Sequence, residues 1–337
     1  MTTVAIVGAG AWGTAFACHL ASRAHAAPRV LLCWRDAAAA RAAEVARENV
    51  RYLPGIPLPP ALQCTADLAS AAAQADLLIL AVPVAALPDM VRALAAAGAR
   101  APLISLAKGF VHAPGSPAGV ALAHQLLAPM WPAPVAVVSG PSFAAEVARG
   151  LPTALAVAAT DAALAEQVAV LMRGDAMRAY PSDDIAGVEV GGAVKNVLAI
   201  AAGASDGLEF GHNARAALIT RGLAETARLV HAFGGRRETI MGLAGLGDLV
   251  LTCTGNLSRN RQVGLALARG EPLAEILLQL GHVAEGVGAA RAVGALVHHL
   301  GIDMPICVAV DRVLHEGLSA RDAVLALLQR EPRAEGL

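Results

Sequence analysis

Residues 4–13 read Val-Ala-Ile-Val-Gly-Ala-Gly-Ala-Trp-Gly, an apolar run that ends in spaced glycines and then opens into an alanine-rich stretch. No other feature constrains the fold as much. In a buried strand that passes through a GxGxxG turn into a helix, each glycine has its own mechanical role. Gly8 makes the tight turn, Gly10 allows the close approach of backbone to a pyrophosphate, and Gly13 lets helix pack on sheet. The pyrophosphate then lies against free N–H groups at the positive dipole end of the helix. The motif predicts a dinucleotide cofactor bound in a βαβ unit.

The first half of the chain repeats this alternation. Val4 to Val7, Arg29 to Trp34, Leu77 to Val82, Leu103 to Ala107 and Val135 to Val138 are nearly continuous apolar runs, as expected of strands buried on both faces of a parallel sheet. Ala37 to Glu48 and Pro88 to Ala97 have helix composition. A further strand-helix-strand passage, Ala154 to Ala158, Asp161 to Met172 and Met177 to Tyr180, extends the sheet. After Pro181 helical periods take over: Val188 to Ala204, Asn213 to Phe233, Pro272 to Gln279, Glu285 to Leu300, Pro305 to His315 and Ser319 to Gln329. Ser319 with Asp322 resembles a capping pair. The chain is therefore read as α/β, with an N-terminal Rossmann-type doubly wound sheet over residues 1–186 followed by an all-α domain over 187–337.

Composition removes other classes. A formal charge of −1 gives no electrostatic reason to expect nucleic acid. The longest stretch without Asp, Glu, Lys or Arg, Gly109 to Ala145, contains six prolines, so no membrane span is predicted. Five scattered cysteines fit neither a disulfide framework nor a metal knuckle, no histidine spacing suggests zinc, and the start carries no export pattern. A cytoplasmic protein without a metal is expected.

Of 26 basic residues only Lys108 and Lys195 are lysine. Arginine stays protonated, whereas lysine can be tuned to exchange a proton, so both lysines are site candidates. Lys108 follows the run Leu103 to Ala107, and Lys195 stands four residues after Gly191 on one helical face. The glycine pair Gly191-Gly192 costs its helix stability and predicts that something approaches the backbone closely there. Arg35 ends the second strand where an acid usually meets the ribose of NAD; a guanidinium suits a 2′-phosphate, which favours NADP(H), while the adjacent Asp36 keeps NAD(H) allowed. Ser139 to Ala144 lies at another strand end, although an ordinary turn explains that composition almost as well. Asp248 follows the glycine-rich Met241 to Gly247 and is expected to be displayed by a loop, where it can orient an amine. Ser258-Arg259-Asn260-Arg261 reads as the N-cap and first turn of a helix, either a plain cap or a phosphate site of N–H groups and a guanidinium.

Together these segments resemble the bacterial NAD(P)-dependent glycerol-3-phosphate dehydrogenase family. The matching pieces are Gly8 to Thr14, Lys108-Gly109, Ser139 to Ala144 with Glu146, Gly191 to Asn196, Asn213 to Glu225, Gly242 to Thr254 and Ser258 to Arg261. The resemblance implies hydride transfer between NAD(P)H and dihydroxyacetone phosphate, giving sn-glycerol 3-phosphate for glycerophospholipid synthesis. It makes Lys195 the proton acceptor and donor, with Lys108, Gly140, Ser142, Asp248, Ser258, Arg259 and Asn260 around the substrate. It assigns Ala11, Trp12, Arg35, Lys108, Ala144, Arg259, Val283 and Glu285 to the cofactor, beside the glycines of the turn. The family commonly has serine where Ala11 and Val84 stand. Another NADP-dependent reductase acting on a hydroxy acid or a ketopantoate-like substrate is the rival reading, and a homodimer is a further expectation.

Overall fold

The computed structural model describes residues 2–23, 27–116, 118–281 and 283–329. It divides into two compact units, residues 1–107 with 123–185, and residues 108–122 with 186–337.

Strands of the first unit are β1 (Thr3–Val7), β2 (Arg29–Cys33), β3 (Leu62–Thr65), β4 (Leu77–Leu80) and β5 (Leu103–Ser105). The hairpin β6 (Val111–His112) and β7 (Val120–Ala121) belongs to the second unit, and β8 (Val135–Ser139), β9 (Thr153–Ala159) and β10 (Met177–Ser182) return to the first. The sheet order is β10-β9-β8-β5-β4-β1-β2-β3. From β3 to β8 every pairing is parallel, so the chain winds outward from β1 in both directions, as in a doubly wound dinucleotide-binding sheet. The expected extension is present, but β9 pairs antiparallel with β8, so β9 and β10 run against the rest. Strand order reverses beside β1, which pairs with β2 on one side and β4 on the other, and the glycine turn leaves the carboxyl end of β1.

Helices α1 (Ala11–Ala21), α2 (Ala37–Ala46), α3 (Leu68–Gln74), α4 (Leu87–Ala96), α5 (Ala123–Met130), α6 (Ala144–Ala148) and α7 (Ala162–Met172) complete this unit. Phe16 and Leu20 of α1 are sealed in one apolar cluster with Ile6, Leu32 and Ile79 of the sheet. That burial is the dominant reason the α1 entry is held against the end of β1.

The second unit is helical apart from the hairpin: α8 (Ile185–Gly207), α9 (Gly211–Ala232), α10 (Arg237–Ile240), α11 (Asp248–Thr254), α12 (Arg259–Ala268), α13 (Leu273–Leu280), α14 (Glu285–Leu300), α15 (Pro305–His315) and α16 (Ala320–Leu328). Helix α8 is apolar and long enough to cross a membrane by length and composition, yet 89% of its most apolar window is buried inside the fold. It serves as the core helix. Phe110 and Leu122, on either side of the hairpin, lie in the same apolar cluster as Val190, Val194 and Val197 of α8. Residues 108–122, which a single boundary after 186 leaves in the first domain, therefore pack with the second. The Ser319 cap is formed, its Oγ accepting from Asp322 N at 3.0 Å.

Candidate active site

The glycine turn is built as the sequence pattern requires. Gly8 has φ +112°, and a Cβ there would lie 2.5 Å from the Ala81 carbonyl oxygen; at Gly13 it would lie 2.0 Å from Gly8 O. Only hydrogen fits at either. At Gly10 a Cβ would meet nothing within 4 Å, so the space beside the turn is open. Helix α1 starts with no side-chain cap and no acid in its first turn. Its first backbone bond runs from Thr14 N to Gly10 O at 2.9 Å, which leaves the N–H groups of Ala11, Trp12 and Gly13 ahead of the ladder. Open backbone, uncapped N–H groups and a positive dipole end fit a pyrophosphate.

At the end of β2, Asp36 is exposed and one of its carboxylate oxygens is engaged locally. It caps α2, with Oδ1 accepting from Ala39 N at 2.6 Å. Arg35 beside it is exposed. At the end of β8, Gly140 takes φ +140° and Ser142 Oγ donates to Gly140 O at 2.9 Å, so this segment is a self-bonded turn that leads into α6 at Ala144.

The second unit gathers both lysines on one carboxylate. Asp248 is 1% exposed; its Oδ2 lies 2.6 Å from Lys108 Nζ, and its Oδ1 accepts from Lys195 Nζ. Lys195 Nζ also donates to Thr252 Oγ1 at 3.0 Å, and that hydroxyl donates to Asp248 O at 2.6 Å. Burial is the largest influence on Lys195 and pulls its pKa down; the Asp248 carboxylate opposes this and the Lys108 charge reinforces it, leaving the amine at about 8. Burial works to raise Asp248, but the two ammonium groups outweigh it and hold the carboxyl below its usual range. Lys195 shares a small recess with Gly191, Leu223, Thr226, Gly245 and Leu249.

What approaches Gly191 is the chain itself. A Cβ there would lie 2.6 Å from Ala244 O, in the π-helical turn Leu243–Gly247 that Gly247 N closes onto Gly242 O at 3.1 Å. Asp248 is thus not displayed by a loop. It opens α11 directly after that turn, and its spacing from Thr252 puts both on one helical face.

A chain of amides runs beside the lysines. Asn196 Nδ2 donates to Lys108 O at 3.4 Å, Asn260 Nδ2 to Asn196 Oδ1 at 2.9 Å, and Gly286 N to Asn260 Oδ1 at 3.0 Å. Ser258 caps α12, its Oγ accepting from Arg261 N at 3.2 Å, and Gln262 N bonds Ser258 O at 3.0 Å. The N–H groups of Arg259 and Asn260 precede that first intrahelical bond. Arg261 is held by Asp206 at 2.7 Å; Arg259 keeps exposed surface, but partial desolvation of its guanidinium lowers its pKa, and the Glu285 carboxylate at the start of α14 opposes that shift. Val283 is half exposed just before that helix. Sequence reasoning gave no role to Thr252 or Asn196; the i, i+4 spacing from Asp248 and the place of Asn196 beside Lys195 were the available signals.

The NAD-dependent glycerol-3-phosphate dehydrogenase N-terminus model matches residues 3–165, and the corresponding C-terminus model matches residues 184–325. An NAD(P)+ glycerol-3-phosphate dehydrogenase of Thiobacillus denitrificans is 53% identical over 332 residues, covering 98% of each chain. One from Aromatoleum aromaticum is 52% identical over 335 residues, covering 98% of this chain and 99% of that protein. The crystal structure of glycerol-3-phosphate dehydrogenase from Coxiella burnetii is similar with a TM-score of 0.91 at 41% identity, covering 98% of this chain and 99% of that one.

Proposed function

The chain belongs to the NAD-dependent glycerol-3-phosphate dehydrogenase family, and from that premise we propose that it interconverts dihydroxyacetone phosphate and sn-glycerol 3-phosphate for glycerophospholipid synthesis. The observation that carries this reading is the seating of the chain's two lysines on one buried carboxylate, with Lys195 at about 8. A bound nicotinamide supplies or accepts the hydride. Lys195 gives its proton to the oxygen that becomes the alcohol and takes it back in the reverse direction, as a general acid and base poised near neutral pH. Asp248 and Thr252 hold its ammonium in place, and Lys108 orients the substrate through its positive charge.

Substrate contacts are proposed for Lys108, Gly140, Ser142, Lys195, Asp248, Ser258, Arg259 and Asn260. One Asn260 amide N–H and its Oδ1 are engaged by Asn196 and Gly286, so the second amide N–H and the main-chain N–H are the candidate donors to phosphate. For the cofactor, Gly8, Gly10, Ala11, Trp12 and Gly13 take the pyrophosphate, and Arg35 takes a 2′-phosphate. Lys108, Ala144, Arg259, Val283 and Glu285 are further proposed contacts. NADP(H) is favoured because the exposed Arg35 guanidinium suits a 2′-phosphate; Asp36, with one oxygen engaged at its helix cap, keeps NAD(H) usable. The first unit is read as the cofactor domain and the second as the substrate domain. The same reading makes the enzyme cytoplasmic and homodimeric, without a membrane span or nucleic-acid partner.

The decisive assay follows NADPH absorbance with dihydroxyacetone phosphate, unphosphorylated dihydroxyacetone and ketopantoate in turn. Rapid oxidation with the first alone is expected. Preference for ketopantoate, or no turnover of the phosphate ester, overturns the reading.

A further inference from the structure

One side chain fastens the loop after α2 to the glycine turn. Asn49 is 1% exposed and follows Arg47, whose left-handed backbone (φ 51°) turns the chain out of the helix. Each polar atom of its amide is engaged. Nδ2 donates to the Ala9 carbonyl at 2.9 Å and to Thr14 Oγ1 at 2.8 Å, while Oδ1 accepts from Tyr52 N at 3.3 Å. The loop that carries it is itself closed, by Leu58 N on Arg47 O at 2.7 Å and Gly55 N on Glu48 Oε1 at 2.8 Å, and is anchored by Leu53 and Leu58, each 4% exposed.

The two tethered groups bracket the segment that meets the pyrophosphate. Ala9 lies between Gly8 and Gly10, and Thr14 makes the first backbone bond of α1. In a planar trans peptide the C=O and the following N–H point in opposite directions. Holding the Ala9 oxygen toward Asn49 therefore aims the Gly10 N–H away from it. We propose that Asn49 is a positioning residue for the cofactor: through the Ala9 carbonyl and the Thr14 hydroxyl it sets the orientation of the N–H groups that receive the pyrophosphate. The inference rests on the cofactor reading above and adds a residue to it. Because the pyrophosphate is common to NADPH and NADH, Asn49 acts on both alike, unlike Arg35.

The test is fluorescence titration of NADPH and NADH into the full-length protein, with steady-state kinetics alongside. Asn49→Ala is expected to raise both cofactor Kd values by the same factor, about tenfold, since a small misplacement of a binding group is costly. The kcat at saturating NADPH and the KM for dihydroxyacetone phosphate should stay within about twofold of wild type. A merely structural role would lower Tm and the active fraction while leaving Kd of the folded protein unchanged, and that result overturns the proposal. Thr14→Val removes one tether at nearly constant volume and should raise both Kd values about threefold, the scale of one hydrogen bond. If Asn49→Ala does not fold, Thr14→Val decides: an equal rise for both cofactors upholds the inference, and unchanged values overturn it. Wild-type protein that binds neither cofactor would instead overturn the cofactor reading, and the inference with it.

Discussion

Lys195 is a cation that the fold makes expensive to keep charged. Burial opposes its ammonium and Asp248 restores part of the loss, so its pKa of about 8 is the outcome of two large opposing influences. The sign of the pH dependence follows. Ketone reduction needs protonated Lys195, so kcat/KM for dihydroxyacetone phosphate should fall as pH rises through about 8. Oxidation of glycerol 3-phosphate needs the free amine and should gain through the same range; a flat profile in both directions would remove Lys195 from the proton step. Lys195→Arg keeps the charge but cannot exchange protons near neutrality, so a loss of about 10²- to 10⁴-fold in turnover is expected with NADPH binding intact. Lys108→Arg should instead raise KM for the substrate and keep the pH profile. At this scale the sequence is informative because arginine replaces lysine everywhere else, and it already suggests that desolvation and Lys108 work against Asp248 at Lys195; what it does not disclose is the balance among them, which depends on burial.

Two helix starts differ in what fills them, and the difference predicts function. Helix α2 is capped by the Asp36 carboxylate, and the neighbouring Arg35 is exposed at the end of β2. Arg35→Ala should raise KM for NADPH about tenfold to a hundredfold, the scale of a hydrogen bond to a charged group, and leave NADH nearly unchanged. Equal losses with both cofactors would refute the assignment. Helix α12 is capped by Ser258, with Arg261 tied to Asp206 and Arg259 left exposed. Arg259→Ala should weaken dihydroxyacetone phosphate far more than any residual turnover of unphosphorylated dihydroxyacetone, with NADPH affinity measured in the same variant to separate the two roles. Equal losses with both substrates would show that the contact is not to phosphate. Elements of this kind were legible where periodicity and caps agreed, as at Ser258 and Ser319. Strand β3 was not, because Leu-Gln-Cys-Thr is short and half polar, as befits an edge. The π-helical turn before Asp248 has the composition of a loop, because its glycines serve a close backbone approach that only the packed chain reveals.

Stability of the whole molecule carries its own pH signature through Glu225. This carboxylate is 2% exposed and caps α15 from α9, accepting from Ile306 N at 2.7 Å and Cys307 N at 3.1 Å. Burial raises its pKa from 4.5 to about 7 despite those bonds. Its folded form therefore binds the proton more tightly than the unfolded chain, and the associated stability is present below about 4.5 and lost as pH rises to about 7. Glu225→Gln should flatten the pH dependence of the unfolding free energy from denaturant titrations over that window, removing on the order of 3 kcal/mol of change; an unchanged slope would place the shift elsewhere. The sequence announced the change from strands to helices near residue 181, but not the excursion of residues 108–122, because a hairpin of two-residue strands has no periodicity to read. That excursion brings the chain across from one unit to the other three times, at 107/108, 122/123 and 185/186. A fragment ending near residue 186 would carry Phe110 and Leu122 without the helices they cluster with, and would tend to aggregate. It would also take Lys108 away from Asp248. The two halves of this enzyme can therefore be exchanged between relatives only as an interleaved pair of segments, not by a single crossover in the gene.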